Sequence, residues 1–308
     1  MIRKSWVVLI HAIILSFQSI VIEWLTVWLQ MPSLVIAACS IPLAGSMLLL
    51  ISRLIIKKKT RVFEPWKYLF PSSAFLSAGI FTWYDAVHRI GASKDALLAG
   101  PIETLTVLFL AYFFLKERMS NVQLAGVMIT VVGFFMTVVS GNIELSLSSL
   151  LPFTLGDIEA ILSAITFAAR IIFLTKLLAR HSSIEVTGAS LLIAGLILAA
   201  FLWTTSSHLI VVRIVDWMIL LLFSVLPLLA ALFYSKGLER IGASLTSTIS
   251  SSTILLTLLF QLILEQFGIK SNLSENIPLI TIAIIGGALG IYGICLIHLQ
   301  KAIPFQRI

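Results

Sequence analysis

Charged residues are scarce in this chain. Of its 308 residues only 11% are charged, while 59% are hydrophobic, whereas soluble domains carry about 25% charged and about 45–50% apolar residues. Because so little charge cannot cover a water-facing surface, the composition excludes a soluble enzyme, a nucleic-acid binder and a disordered protein as descriptions of the whole chain. It predicts a polytopic membrane protein whose spans use nearly all of the sequence, without room for an extramembrane domain.

Cysteine is almost absent, and so are the motifs of cofactor chemistry. Cys39 and Cys295 both lie in apolar runs, which is typical of small core residues and indicates no redox compartment. The sequence contains no HExxH, GxSxG, Walker glycine loop or cysteine pair at metal spacing. We therefore expect no enzyme activity, cofactor or metal site, and an ATP-driven pump is excluded for this chain alone. Transport would use an ion gradient, substrate exchange or facilitated diffusion.

Long apolar runs, separated by short polar breaks, fill the sequence. A transmembrane helix needs about 20 apolar residues, and ten runs approach that length. They predict an all-α integral membrane fold with ten transmembrane helices near 5–29, 33–53, 67–87, 95–115, 121–141, 152–177, 184–206, 214–236, 244–265 and 277–299.

The basic residues indicate how these spans are oriented. With the N-terminus in the cytoplasm, 16 of the 21 Lys and Arg residues fall on the cytoplasmic side and four on the outer side, while Arg170 lies within a span. Lys and Arg are enriched in cytoplasmic segments, so we expect a multi-pass plasma-membrane protein with both termini in the cytoplasm. The net charge of +7 then reflects orientation and does not indicate a nucleic-acid partner.

The two halves of the chain repeat each other. The motif Arg-Ile-Gly-Ala-Ser occurs at 89–93, between spans three and four, and again at 240–244, between spans eight and nine. Ile-Leu-Ser recurs at 14–16 and 161–163, and two glycines seven residues apart occur in spans five and ten. These matches predict two five-helix repeats, 1–145 and 146–308. Because five is odd, the second repeat is inverted, an architecture that supports alternating access to a site near the midplane.

Three ionisable residues lie within predicted spans: Glu23, Glu103 and Arg170. Such a group costs about 2.5–3.5 kcal/mol on insertion scales and usually faces a cavity or a partner. Arg170 is therefore a candidate ligand for a carboxylate or another anion. Glu103 follows Gly100-Pro101, a pair that predicts a loosened helix, and is the candidate for proton coupling or for binding a substrate amine. Glu23 would gate or bind on the outer side, or instead extend to the headgroups.

Polar and aromatic residues near these charges complete the candidate substrate site. A run of hydroxyl side chains at 246–253 predicts helix contacts and, for a few members, substrate contacts. His11 could shuttle protons, although a single membrane histidine more often makes a helix–helix hydrogen bond. Aromatic residues near the outer span ends could line a vestibule. Besides the three charged residues, the candidate substrate-binding residues are Gln18, Trp24, Trp83, Tyr84 and Ser252.

Several stretches are similar to a known family. Residues 89–133 combine a polar-small run, an apolar helix and a glutamate at the helix end (Glu117), and residues 240–265 repeat this pattern up to Glu265. With Gly156-Asp157, they resemble the ten-helix EamA-type exporters of the drug/metabolite transporter superfamily. The resemblance implies a central cavity between inverted repeats and the export or exchange of small metabolites such as amino acids, typically driven by proton or other secondary gradients.

The chain departs from the family pattern at positions expected to face the cavity. Ser252 stands where the first repeat has Pro101, Cys39-Ser40 replaces an arginine, and Arg170 replaces an aromatic residue. The expected function is secondary transport of a small polar molecule, with an amino acid or an organic cation as substrate, by a monomer or weak homodimer. The alternatives are a nucleotide-sugar or phosphate exchanger, an integral membrane enzyme on lipid-linked substrates, and a receptor or assembly subunit without transport.

Overall fold

The computed structural model describes residues 2–56, 66–141, 154–205 and 214–266, together with seven positions between 285 and 296. All regular secondary structure in these residues is helical, and a π-helical turn, Ala111–Leu115, continues the fourth helix. The helices are α1 (Ile2–Val27), α2 (Ser33–Ile56), α3 (Trp66–Ile90), α4 (Ala92–Leu110), α5 (Asn121–Gly141), α6 (Leu155–Leu178), α7 (Ser183–Thr205), α8 (Ile214–Phe223), α9 (Val225–Ile241), α10 (Ala243–Ser250) and α11 (Thr253–Gln266).

Within the described residues, seven segments are long and apolar enough to cross a membrane, and the apolar part of α5, Asn121–Gly133, is shorter. They correspond to α1, α2, α4, α6 and α7, and to the pairs α8–α9 and α10–α11. Helix α3 is not among them, since it carries buried serines such as Ser72 and Ser73. The tenth predicted span, 277–299, lies mostly outside the described residues, so the number of ten remains a prediction.

The eighth and ninth predicted spans are each broken into two helices. Pro227 has no N–H to bond the carbonyl at the end of α8, and the Ser224 hydroxyl donates instead to the Leu221 carbonyl at 2.6 Å. In the ninth span, Ser251 and Ser252 donate their hydroxyls to carbonyls three residues earlier, at 2.6 and 2.8 Å. Such local bonds compete with the helical pattern, and they explain the break between α10 and α11.

The loosened helix expected at Gly100-Pro101 does not form a break, because α4 runs unbroken from Ala92 to Leu110. The break lies at the corresponding place in the second half, beside Ser252. The two corresponding positions therefore differ in structure as well as in chemistry. Proline leaves one helix intact, whereas consecutive hydroxyl side chains divide the other.

Helix packing follows the repeat. Helix α3 packs on α6 and α9 packs on α1, while α2 packs on α7. Likewise α4 packs on α6, and α10 and α11 pack on α1. If α1 corresponds to α6, α3 to α8–α9 and α4 to α10–α11, each of these contacts has its counterpart after the halves are exchanged. The contact pattern thus agrees with the two-repeat organisation and places α1 and α6 near the centre.

Glycines bring helices of the two halves into close contact. A Cβ added at Gly45 of α2 would lie 2.4 Å from the Leu192 backbone nitrogen of α7. A Cβ added at Gly133 of α5 would lie 2.5 Å from the Gly290 nitrogen and 2.6 Å from the Gly286 carbonyl oxygen. Small residues allow such approaches in membrane helices. The glycine face at 286–290 therefore packs within the chain.

Candidate functional site

A cavity of about 140 Å³ lies between the two halves. Helices α1, α3 and α4 form its wall on one side, and α6, α9, α10 and α11 form most of the other. Apolar side chains make up much of the lining, and the polar groups gather at two levels, one around Arg170 and one around Asp95. Cavities of this kind, at the interface of repeats, are where small ligands bind in transporters.

Arg170 is the main cation of the cavity. Its side chain projects from α6 and is only 7% exposed, and Nε and Nη2 have no hydrogen-bond partner among the described residues. Glu103 of α4 and Tyr234 of α9 lie within electrostatic reach of the guanidinium, and the Tyr234 hydroxyl likewise has no partner in the described part of the chain. A buried cation with free donors is costly unless an anion approaches it, so these groups are suited to bind a carboxylate.

His11 joins three helices beside this group. Its Nδ1 donates to the Ala230 carbonyl of α9 at 2.8 Å, and its Nε2 lies 3.0 Å from the Ser250 hydroxyl of α10. The imidazole also packs against the Tyr234 ring, with centroids 4.8 Å apart. His11 thus makes the helix–helix hydrogen bonds that the sequence favours. It also fixes the position of Tyr234 next to Arg170.

The second polar level contains Asp95, Trp83 and Gln18. Asp95 is 2% exposed and lies beside the Trp83 indole, while its Oδ1 has no partner among the described residues. Gln18 donates to the Tyr84 hydroxyl at 3.1 Å, while its Oε1 has no partner in the same part of the structure. This level therefore offers acceptors, in contrast to the donors around Arg170.

Asp95 is a cavity residue that the sequence interpretation missed. It opens the fourth predicted span and resembles a boundary carboxylate in water. The cavity-lining residues of α4 follow the spacing of a single helix face, and counting back from Glu103 along that face leads to Asp95. They are Asp95, Ala96, Ala99, Gly100, Glu103 and Thr104.

The structure places four of the eight candidate residues in the cavity lining: Glu103, Arg170, Gln18 and Trp83. The other four lie elsewhere. Trp24 is 44% exposed on the outer face of α1, Tyr84 is fully buried behind Gln18, and Ser252 donates its hydroxyl to the Ile249 carbonyl. Glu23 accepts hydrogen bonds from the Ala92 amide at 2.9 Å and from Gln261 at 3.0 Å.

Ion pairs join the halves at the end of the bundle where α4 and α6 begin. Lys94 of α4 lies 2.8 Å from Asp157 of α6, and Arg89 of α3 lies 3.0 Å from Glu159 of α6. Arg89 also pairs with Asp85 at 2.9 Å. Arg89 lies beyond the predicted span 67–87. Because it donates hydrogen bonds to Asp85, the pKa of Arg89 is raised and its guanidinium stays charged. Asp157 and Glu159, at predicted span boundaries, are therefore engaged across the interface between the halves.

Glu117 lies at the opposite end of α4, where the Ala243 amide donates to its Oε1 at 2.8 Å. Its Oε2 accepts from the Ser244 amide at 3.0 Å and the Ser244 hydroxyl at 2.6 Å. Glu117 therefore caps the start of α10, across the interface between the halves. The side chain of Glu265, the matching glutamate of the second repeat, lies outside the described parts of the structure.

Comparisons with known proteins agree with this architecture. A protein of known crystal structure, 20% identical, superposes with a TM-score of 0.64 over 94% of this chain and 97% of its own, which shows a shared fold alone. A search of curated protein sequences gives no match. The model of the EamA-like transporter family matches twice, at residues 4–139 and 154–299. The chain therefore belongs to the EamA-like transporter family and is a multi-pass membrane transporter of small molecules.

Proposed function

We propose that this transporter is a secondary transporter that exports or exchanges small polar metabolites such as amino acids. Alternating access would expose the cavity first to one side of the plasma membrane and then to the other. Residues 1–145 and 146–308 then form two five-helix halves of opposite orientation, with both termini in the cytoplasm. The observation that carries the proposal is Arg170, a buried guanidinium with free donors in a cavity between the halves.

Arg170 and Glu103 have complementary roles in this proposal. The guanidinium binds a substrate carboxylate, because a planar fork of donors suits that group. Glu103, within electrostatic reach of Arg170, takes up either a substrate ammonium group or a proton. The two options lead to different transport cycles, since a proton on Glu103 would couple the substrate to a pH gradient.

The interactions between the halves support alternating access. Arg89 and Lys94 of the first half pair with Glu159 and Asp157 of the second at one end of the bundle. Breaking these pairs would let that end open. Glu23 contributes to the same gate through Gln261 of α11, which fits a gating role better than direct binding of substrate.

The cavity lining favours an amino acid over a nucleotide sugar or phosphate. Arg170 is the one Lys or Arg residue that lines it among the described residues, whereas a phosphorylated substrate carries at least one further negative charge to neutralise. We expect a monomer, since the glycine face at 286–290 is used within the chain.

Transport by purified protein in proteoliposomes tests the proposal. Counterflow of radiolabelled L-amino acids identifies substrates, and uptake is then measured with and without an imposed pH gradient. We expect the gradient to stimulate uptake by the wild type. In Glu103→Gln this stimulation is lost, because an amide cannot take up the proton, while exchange without a gradient continues.

Glu185→Gln is the matched control, since Glu185 is a carboxylate of α7 that is 7% exposed and lies outside the cavity lining. Its gradient stimulation stays at the wild-type level. If the pH gradient stimulated uptake by Glu103→Gln as strongly as by the wild type, Glu103 would not be the group that takes up the proton. Counterflow of a nucleotide sugar or phosphate, with none for any amino acid, would overturn the proposed substrate class.

A further inference from the structure

The charges of the cavity do not balance. Three ionisable side chains of acidic or strongly basic type line it among the described residues, namely the two carboxyls of Asp95 and Glu103 and the guanidinium of Arg170. A carboxylate buried without a counter-charge is unfavourable. With one cation and two carboxyls, the site is complementary to a ligand that carries one negative and two positive groups.

The two carboxyls are separated along the cavity. Asp95 and Glu103 lie eight residues apart on one face of α4, a rise of about 12 Å along the axis of an α-helix. Arg170 and Tyr234 accompany Glu103, whereas Trp83 and Gln18 accompany Asp95. A single α-amino and α-carboxyl pair would engage Arg170 and Glu103 and leave Asp95 without a partner.

The face of α4 between Asp95 and Glu103 is apolar where it lines the cavity, with Ala96, Ala99 and Gly100. Leu15, Ile80, Ala96 and Ala99 line the cavity together with the polar groups. Apolar lining with a few convergent polar groups is suited to a ligand with a hydrocarbon stem. The indole N–H of Trp83, which is a donor only, lies beside the Asp95 carboxyl, and Asp95 Oδ1, which has no partner in the described part of the chain, is available for a cation.

We propose that Asp95, Trp83 and Gln18 form a distal cation subsite, which makes the substrate a basic amino acid of lysine type. The α-carboxylate binds Arg170, the α-ammonium binds the Glu103 carboxylate once that group has released its proton, and the stem crosses the apolar wall. The terminal ammonium binds Asp95 Oδ1 and Gln18 Oε1, the two buried acceptors that have no partner in the described part of the chain. This inference rests on the proposed amino-acid transport and adds the identity of the side chain.

Counterflow of L-lysine and L-norleucine in proteoliposomes tests the subsite, because norleucine has the same stem without the terminal ammonium. We expect the wild type to prefer lysine in KM by about tenfold or more, which corresponds to one charge-assisted hydrogen bond. In Asp95→Asn this preference falls by about tenfold, and Asp95→Glu restores part of it. Trp83→Phe lowers the preference to a smaller extent, since it removes the N–H donor beside the carboxyl.

Glu185→Gln is again the control, and its lysine-to-norleucine ratio equals that of the wild type. A merely structural Asp95 would alter both substrates in parallel, with an unchanged ratio, and that result would overturn the subsite. So would an equal preference for lysine and norleucine in the wild type. In both cases amino-acid transport itself would stand. Absence of counterflow for all amino acids, by contrast, would overturn the proposed function and the subsite together.

Discussion

The two copies of Arg-Ile-Gly-Ala-Ser, at 89–93 and 240–244, invite a direct comparison. We call them the first and the second repeat turn. Each connects one helix to the next through a glycine with positive φ, 81° at Gly91 and 85° at Gly242. Neither following helix receives a cap from the side chain of its own N-cap residue. Both helix starts therefore need an acceptor from elsewhere in the chain, because their first amides have no intrahelical partner.

The acceptors differ between the turns. Glu117 binds the second repeat turn with both carboxylate oxygens, through the amides of Ala243 and Ser244. At the first repeat turn, Glu23 uses one oxygen, which the Ala92 amide shares with Gln261. The duplication has thus kept the backbone geometry while the capping side chain changed. The second repeat turn is held by both oxygens of one carboxylate from the other half. The first is held by a single carboxylate oxygen, which also accepts a hydrogen bond from the Gln261 side chain.

Alanine at the two glycines is expected to give the largest effects. The backbone at Gly242, with φ 85° and ψ 176°, is essentially restricted to glycine. An added Cβ would also lie 2.9 Å from Glu117 Oε1. We expect Gly242→Ala to lower the free energy of unfolding by about 3 kcal/mol and Gly91→Ala by about 2 kcal/mol. Titration with SDS in mixed micelles, followed by tryptophan fluorescence, measures both.

Ala78→Gly tests the method at an exposed position in the interior of α3, outside the cavity lining. It should cost about 1 kcal/mol from helix propensity alone. Equal, small losses at both turn glycines would contradict the backbone argument. A larger loss at Gly91 would contradict the role assigned to Glu117.

The next largest effect separates the two glutamates. Glu117→Gln leaves one acceptor where two are used and turns an amide NH₂ toward an N–H donor, so we expect a loss of about 2 kcal/mol. Glu23→Gln can keep its single accepting oxygen in place, and about 0.5 kcal/mol should be lost. The same SDS titration measures both variants. If Glu117→Gln and Glu23→Gln lost equal free energies of unfolding, the number of carboxylate oxygens that accept hydrogen bonds would not distinguish the two turns.

The repeat turns also show how far the sequence could be interpreted. The repeated motif predicted their positions, and the apolar runs predicted the helices, because both depend on local patterns. The intramembrane charges likewise led to Glu103 and Arg170, which the fold brings to one cavity. Glu117 was singled out only through the family resemblance, and the residue whose backbone amide it would bind, Ala243, could not be inferred.

What the sequence did not disclose depends on the approach of distant helices. The sequence places Asp95 at a span boundary, where a carboxylate is expected in water, but the packing of the helices buries it. The sequence shows Glu23 only as a charge within a span, whereas the fold places the Ala92 amide as a donor to its carboxylate. The break between α10 and α11 at Ser251 depends on which backbone carbonyls accept hydrogen bonds from the hydroxyl side chains. Of these three features, Asp95 alone leaves a periodic signal, because it lies on the helix face of Glu103.

The smallest expected effect concerns the ion pairs beside the first repeat turn. Lys94 is 38% exposed where it pairs with Asp157, and exposed pairs contribute about 0.5 kcal/mol. Lys94→Gln should lower the free energy of unfolding by that amount at low salt and by almost nothing near 1 M salt, where the Debye length is about 3 Å. Arg240→Gln, in the second repeat turn, should show no such salt dependence, since no ion pair of Arg240 occurs among the described residues. If the loss in Lys94→Gln did not depend on salt, the hydrocarbon stem of Lys94 would stabilise this end of the bundle by packing. The two repeat turns would then differ in side-chain packing and not in their ion pairs.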